Sequence, residues 1–457
     1  MRTKSLLSTK LLVCILCISF SCQARDKSNS QAPDQKKPLS YFNIYKGNTH
    51  AHTIFTWTHG AHREKSMGKL VDPTEFHPDF IVPGKTDWRD HQSISLNPDE
   101  YKNLQALPDN HFQLAMDNGY DFYAITDHSQ EPTMQPVSVD NPVWKYTQKA
   151  ADKYNQNGKF VALAGYEYSR NTDEGGGNGH INVINSAEYV NADYGQRGPV
   201  PAWPEANWTI PHFYNWVKTA KAHQNKGSVV VGFNHPGAKQ YNDWDHIDDE
   251  IVKLISTFEI HSNHKNPRWE AYIRALNKGW KVSPIGVLDN HSINVLSNEN
   301  RFPPTLVLAP ELTREAITQA MKARRTYASW IKGVELKYAV NGNIMGSTIK
   351  KSKKYKFDIV LNTNPANPSD CIKRIQILKN DPEGKDDLVV VEEISFDNNE
   401  SAINWKPVIK NSDAKFFLIR VFHESDKDKA GQFKKHGSTI SAPVWIFSRG
   451  KWKNTKV

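Results

Sequence analysis

The chain has 457 residues, 38% hydrophobic and 23% charged. That is too long for one small domain and fits a globular core with a second module. Its net charge of +9 is spread along the sequence, which excludes a basic nucleic-acid-binding arm; such a surface suits anionic small molecules, glycans or phosphate esters, or simply solubility.

In chain order, residues 1–22 read as an export signal. Arg2, Lys4 and Lys10 precede the short apolar run Leu11 to Phe20, which is too short to span a membrane comfortably. Ser19-Phe20-Ser21-Cys22 resembles a bacterial lipobox, which would make Cys22 the lipidated N-terminus of an exported lipoprotein, periplasmic or attached to the outer membrane; plain cleavage and release is the alternative. A lipid on Cys22 would be the only link to a membrane. Residues 23–40 are polar and read as a flexible tether. Cys14 and Cys17 leave with the signal and only Cys371 stays beside Cys22, so no intramolecular disulfide is expected.

From residue 41 to 332 short apolar strands alternate with helical patterns. The strands are Tyr41–Tyr45, Phe122–Thr126, Phe160–Tyr166, Ile181–Ile184, Val229–Phe233, Thr257–Ile260 and Val282–Val287. Helices are expected over Asp109–Asn118, Pro211–His223, Asn266–Lys278 and Thr313–Ala323. This alternation predicts an α/β fold, a parallel sheet or a closed barrel of seven strands. Two long insertions, from Phe55 to Leu107 and from Ala187 to Ile210, have the length of lids or binding loops. Residues 333–457 read differently: Val334–Val340, Tyr355–Leu361, Ile375–Leu378, Leu388–Ile394 and Phe416–Phe422 alternate as strands of an all-β sandwich.

Sixteen of the 18 histidines lie between His50 and His291, so the chemistry is expected in the first part. Potential ligands recur at the strand boundaries: His50-Ala51-His52, Asp127-His128, Glu167, Asn234-His235, Glu259-Ile260-His261 with His264, and Asp289-Asn290-His291. Strand ends of a parallel barrel share one mouth, so these side chains would converge. His180 is the exception, placed before its strand. Imidazole with carboxylate suits zinc, manganese or iron. A structural role for so many buried ionisable groups would be costly.

These ordered motifs resemble those of the PHP superfamily (polymerase and histidinol phosphatase), over about residues 40 to 330. Ala323-Arg324-Arg325-Thr326-Tyr327-Ala328-Ser329 and the trailing β module resemble its secreted branch related to carbaryl hydrolase. The resemblance implies a distorted seven-stranded (β/α) barrel with two or three divalent metal ions. His50, His52, Glu167 and Asp289 correspond to ligands of the first. Glu167 would bridge to a second ion held by His180 and His235, and His128 and His291 would serve a third. The family's further His or Asp after the His-x-His pair is absent here; His59 follows one or two places late.

Paired ions would activate a water against an ester or phosphoester of an anionic substrate. Asp127 or His128 would move a proton to the leaving group, or Asp127 would orient a metal-bound histidine. Arg170, Lys239 and Arg268 are candidates to grip an anionic group, and His261 and His264 to support metal ligands or touch substrate. Two further classes stay open: a lyase or dehydratase acting on a uronic-acid-containing anionic oligosaccharide, and a non-catalytic glycan binder.

Overall fold

The computed structural model describes residues 34–53, 55–56, 107–131, 134, 137–169, 179–192, 209–219, 227–261, 268–291, 304–331, 333–384 and 387–447. The leader with Cys22, as well as His59, Arg170 and His264, lies outside these residues. No helix among the described residues is long and apolar enough to cross a membrane.

The protein is mixed α/β. Seven strands lie side by side in chain order: β1 (Asn43–Asn48), β2 (Phe122–His128), β3 (Val161–Ser169), β4 (His180–Ile184), β5 (Val230–Asn234), β6 (Ile255–His261) and β7 (Ser283–Gly286). Every residue of β2, β3, β5 and β6 is buried, which is why these strands read as near-continuous runs rather than alternating ones. Helices α1 (Pro108–Asp117), α2 (Pro142–Tyr154), α3 (Ile210–Thr219), α4 (Ile251–Leu254), α5 (Trp269–Lys278) and α6 (Arg314–Lys322) fill the intervals. Their ends carry local signals. Asn141 caps α2 by accepting from Val143 N at 2.9 Å, with Pro142 behind it. Thr313 caps α6 through Ala316 N at 3.1 Å, and α5 stops at Gly279, whose φ is 109°.

The sheet departs from the all-parallel expectation at one strand. β1, β2 and β3 are parallel, as are β5, β6 and β7, but β4 runs antiparallel to both of its neighbours. Only residues 170–179 separate β3 from β4, too few for the crossover that a parallel partner needs. The reversal puts the first residue of β4, His180, opposite Ser169 and Asn234, the last residues of β3 and β5.

Before residue 333 the structure adds two strands to the seven expected. β8 (Thr305–Ala309) pairs antiparallel with β1 along its whole length, and β9 (Thr326–Ser329) pairs with β8. β7 therefore meets the first strand only beyond its end, where Ala51 and Asn290 form an isolated parallel bridge. There Asp289 N donates to His50 O at 3.0 Å and His52 N to Asn290 O at 2.9 Å. Asn48 ties the same junction, donating to His50 O and accepting from Leu288 N, both at 2.8 Å.

After residue 333 the described residues form strands and short 3-10 turns. β10 (Glu335–Val340), β11 (Asn343–Ile344), β13 (Lys354–Asn362), β16 (Ala402–Trp405) and β17 (Val408–Lys410) make one sheet. β12 (Thr348–Lys350), β14 (Ile372–Asn380), β15 (Leu388–Glu400), β18 (Phe416–His423), β19 (Thr439–Ser441) and β20 (Val444–Phe447) continue the large sheet, because β19 pairs with β9. The two layers share one core: Leu336, Tyr338, Ile359 and Leu361 pack with Ile375, Ile377, Phe417 and Ile419.

Candidate metal centre

His50 and His52 follow β1 with one residue between them, so both imidazoles project to one side, and both are fully buried. β2 ends in Asp127 and His128, β3 carries Glu167 near its end, β4 starts with His180, and His235 follows β5. Asp289 and His291 follow β7. Eight of these side chains gather into three groups whose ligand atoms lie within 4.8 Å of one another: His50, His52 and Asp289; Glu167, His180 and His235; and His52, His128 and His291.

Glu167 sits between the groups. Its Oε1 faces His180 Nδ1 at 3.0 Å and His235 Nε2 at 3.3 Å, and accepts from Asn234 Nδ2 at 2.8 Å. Its Oε2 faces the Nε2 atoms of His128, His50 and His52 at 2.8, 3.3 and 3.5 Å. None of those three meets Oε2 in hydrogen-bonding geometry, although the oxygen is buried. Asp289 Oδ1 lies 3.2 Å from His52 Nε2 and 3.5 Å from His50 Nε2, and those two nitrogens are 3.0 Å apart. Imidazole nitrogens converging on one another and on an orphaned carboxylate oxygen are poorly satisfied by hydrogen bonds. They are the donor set of divalent cations such as zinc, manganese or iron.

The electrostatics agree. Burial lowers His50, yet Glu259, Glu167 and Asp289 overcome it and hold its pKa well above the ordinary value. Burial likewise lowers His128 and His235, and Glu167 and the other acids reverse it. His52 is pushed well down by burial and by His291 and His128, and burial takes His291 down to about 4. Burial also lowers His180, more than Glu167 raises it. Burial raises Glu167 and Asp289, but the surrounding imidazoles outweigh it and keep both carboxylates well below their usual range. Two ionised carboxylates thus draw protons onto imidazoles in a water-poor site, compensation that divalent cations would supply.

Groups behind the ligands fix their orientation. Asp127 accepts from Thr53 N at 2.6 Å, Thr53 Oγ1 at 2.7 Å and Thr56 Oγ1 at 2.8 Å. Burial raises its pKa to about 6 against those hydrogen bonds. Thr56 Oγ1 in turn lies 3.2 Å from His52 Nδ1 and accepts from His128 N at 3.0 Å. Asp127 therefore reaches the cluster through Thr56 and orients His52. Glu259 contacts His50 Nδ1 and His235 N, both at 2.7 Å. Tyr241 donates to His180 O at 2.6 Å and sits 3.0 Å from Asn234 O. Thr53, Thr56 and Tyr241 carry no functional signal in the sequence, whereas Asn234 lies in the Asn234-His235 pair at the end of β5. Glu259 had a visible signal, an acid at the end of β6.

The expected substrate contacts are dispersed. Lys239 is exposed. His261 is buried away from the ligand groups, where its Nε2 meets Ser438 O at 3.1 Å, its ring faces Trp330 at 5.4 Å, and burial takes its pKa to about 4. Arg268 precedes α5 and its Nε is buried without a partner. Beside it the Trp269 ring stacks on His436 at 4.9 Å and lies 5.1 Å from the Arg420 guanidinium.

Residues 130–241 match a family described as "Protein of unknown function (DUF3604)", a stretch that includes Glu167, His180 and His235. An uncharacterised protein of Chlamydia pneumoniae is 21% identical over 253 residues, 52% of this chain and 38% of that protein, so the chain spans well under half of its relative. A two-domain protein of Bacteroides vulgatus, described as containing a predicted PHP-like metal-dependent phosphoesterase, aligns over 90% of this chain and 98% of its own, with 16% identity and a TM-score of 0.39.

Proposed function

We propose that this protein is a metal-dependent hydrolase of PHP type, built on a distorted seven-stranded barrel, that cleaves an ester or phosphoester in an anionic substrate. The observation that supports it most is Glu167, whose two carboxylate oxygens each face a different set of imidazoles, as a bridging ligand between two ions would. His50, His52 and Asp289 would complete one ion's ligands, and His180 and His235 the other's, with His128 and His291 available to a third. Bound divalent ions supply Lewis acidity, which makes a water nucleophilic near neutral pH and polarises the scissile group.

The chain's own residues supply the rest. Glu167 and Asp289 carry the negative charge that retains the cations. His128, whose Nε2 lies 2.8 Å from Glu167 and whose pKa the surrounding acids raise, would give a proton to the departing oxygen if it does not hold a third ion. Asp127 positions His52 through Thr56 rather than touching substrate. Arg268, whose N donates to Ile260 O of β6 at 2.9 Å and whose Nε is buried without a partner, is the remaining candidate to hold an anionic group of the substrate. Export and attachment through Cys22 belong to the same proposal, as does membership of the secreted branch.

The test loads the purified protein with zinc, manganese or iron and measures bound ions and release of phosphate or alcohol from generic aryl esters. At least two ions per chain and chelator-sensitive turnover are expected, with Glu167→Gln losing ions and about 100-fold or more in rate. Wild-type ion content in Glu167→Gln would overturn the assignment. An acidic oligosaccharide that loses water, with no ester cleaved, would replace hydrolysis by elimination.

A further inference from the structure

Glu259 is fully buried and belongs to none of the three ligand groups, yet it touches a member of two of them, His50 and His235. Its Oε1 lies 2.7 Å from His50 Nδ1, and its Oε2 accepts from the backbone N–H of His235 at 2.7 Å. The first contact sets a tautomer: with the Nδ1 proton given to Glu259, the Nε2 lone pair of His50 turns toward Asp289, His52 and Glu167. The second contact sets a backbone. His235 has a φ of 28°, a sparsely populated conformation for a β-carbon residue, and Pro236 follows it. A hydrogen bond to a carboxylate steadies that conformation and keeps the His235 ring against Glu167.

We propose that Glu259 is a positioning residue that couples the two ion groups from behind, one carboxylate fixing a ligand of each. This rests on the reading that the groups hold divalent cations. Glu167 joins the two groups from the inside; Glu259 joins them from the outside, through a histidine tautomer on one side and a peptide N–H on the other. A glutamine keeps the shape but offers only one acceptor, so it breaks one contact directly and reaches the other ion only through the coupling. Its amide nitrogen must face either His50 Nδ1–H or His235 N–H, donor to donor.

The test compares wild type with Glu259→Gln in two measurements. In metal-free protein, nitrogen-edited NMR should show a strongly deshielded His50 Nδ1–H that is lost in the variant and in His50→Ala. In zinc competition titrations both ions should weaken together, by about 10- to 100-fold, at unchanged circular dichroism. Should the glutamine variant not fold, Glu259→Asp, which keeps the charge but withdraws the carboxylate by one methylene, is expected to weaken both ions. Two wild-type ions whose affinities survive Glu259→Gln, or loss of only one of them, would overturn the coupling alone. No ion bound by the wild type, with the Nδ1–H signal intact, would overturn the metal reading and the coupling with it.

Discussion

Replacing Thr56 by valine removes one hydroxyl and keeps the side chain's shape. That hydroxyl has one proton, and Asp127 Oδ1 at 2.8 Å takes it, leaving the oxygen's lone pairs for His128 N at 3.0 Å and His52 Nδ1 at 3.2 Å. His52 must then carry its proton on Nδ1 and point an Nε2 lone pair at Asp289. Valine strands two buried donors, at about 1–3 kcal/mol each, so the metal-free protein should lose about 2–6 kcal/mol if the two were additive. With the His52 tautomer no longer specified, zinc affinity should fall by about 10- to 100-fold. Thr56→Ser restores the hydroxyl and should stay within about 1 kcal/mol of wild type. Denaturant unfolding of metal-free protein gives the first quantity and competition with a chromophoric chelator the second. If Thr56→Val binds zinc like wild type while His52→Ala does not, the Asp127–Thr56–His52 relay has no part in holding the ion.

His111 is fully buried and burial lowers its pKa to about 3. Below pH 6.5 the unfolded chain binds a proton that the folded one refuses, so stability present at pH 7 drains away as pH falls toward 3, by about 2 kcal/mol at pH 5; His111→Leu should flatten that slope in thermal melts from pH 7 to 5, and an unchanged slope would remove His111 from the account. Gly179 has a φ of 68°, and a Cβ there would come within 2.5 Å of the Tyr241 ring, which holds the carbonyls of His180 and Asn234. Gly179→Ala and Tyr241→Phe should therefore weaken the ion group of Glu167, His180 and His235 before that of His50, His52 and Asp289, with about 1–3 kcal/mol of stability lost in the phenylalanine variant; equal loss from both groups, followed by zinc titration, would contradict this.

Much of the architecture was legible because its signals are local. β2, β3, β5 and β6 are short apolar runs ending in a polar residue, and the helices start at Asn141 and Thr313 and stop at Gly279, residues chosen by capping geometry. β8 and β9 are harder to read: Thr305–Ala309 is a short apolar run and Thr326–Ser329 only four residues, and neither ends in a ligand motif that marks it as part of the sheet. The continuity of β9 with β19 is a long-range pairing, invisible to any windowed reading of sequence.

The site separates what spacing can show from what only packing can. In a parallel sheet His180, which begins its strand, would lie at the far end from the other ligands; antiparallel β4 brings it to the same end of the sheet as the last residues of β3 and β5. His261 failed in the opposite way. Strict alternation would give Glu259 and His261 the same side of β6, but the register with β7 slips between them, Glu259 opposite Ile285 and His261 opposite Gly286. One irregularity thus turns Glu259 toward His50 and sends His261 to Ser438 and Trp330. No composition or period encodes that slip, so the acid reads as an ordinary strand end and the histidine as a ligand, when the geometry gives the inward position to the acid. A strand carrying acid-x-His at a mouth of this kind therefore needs its register established before either residue is assigned a role.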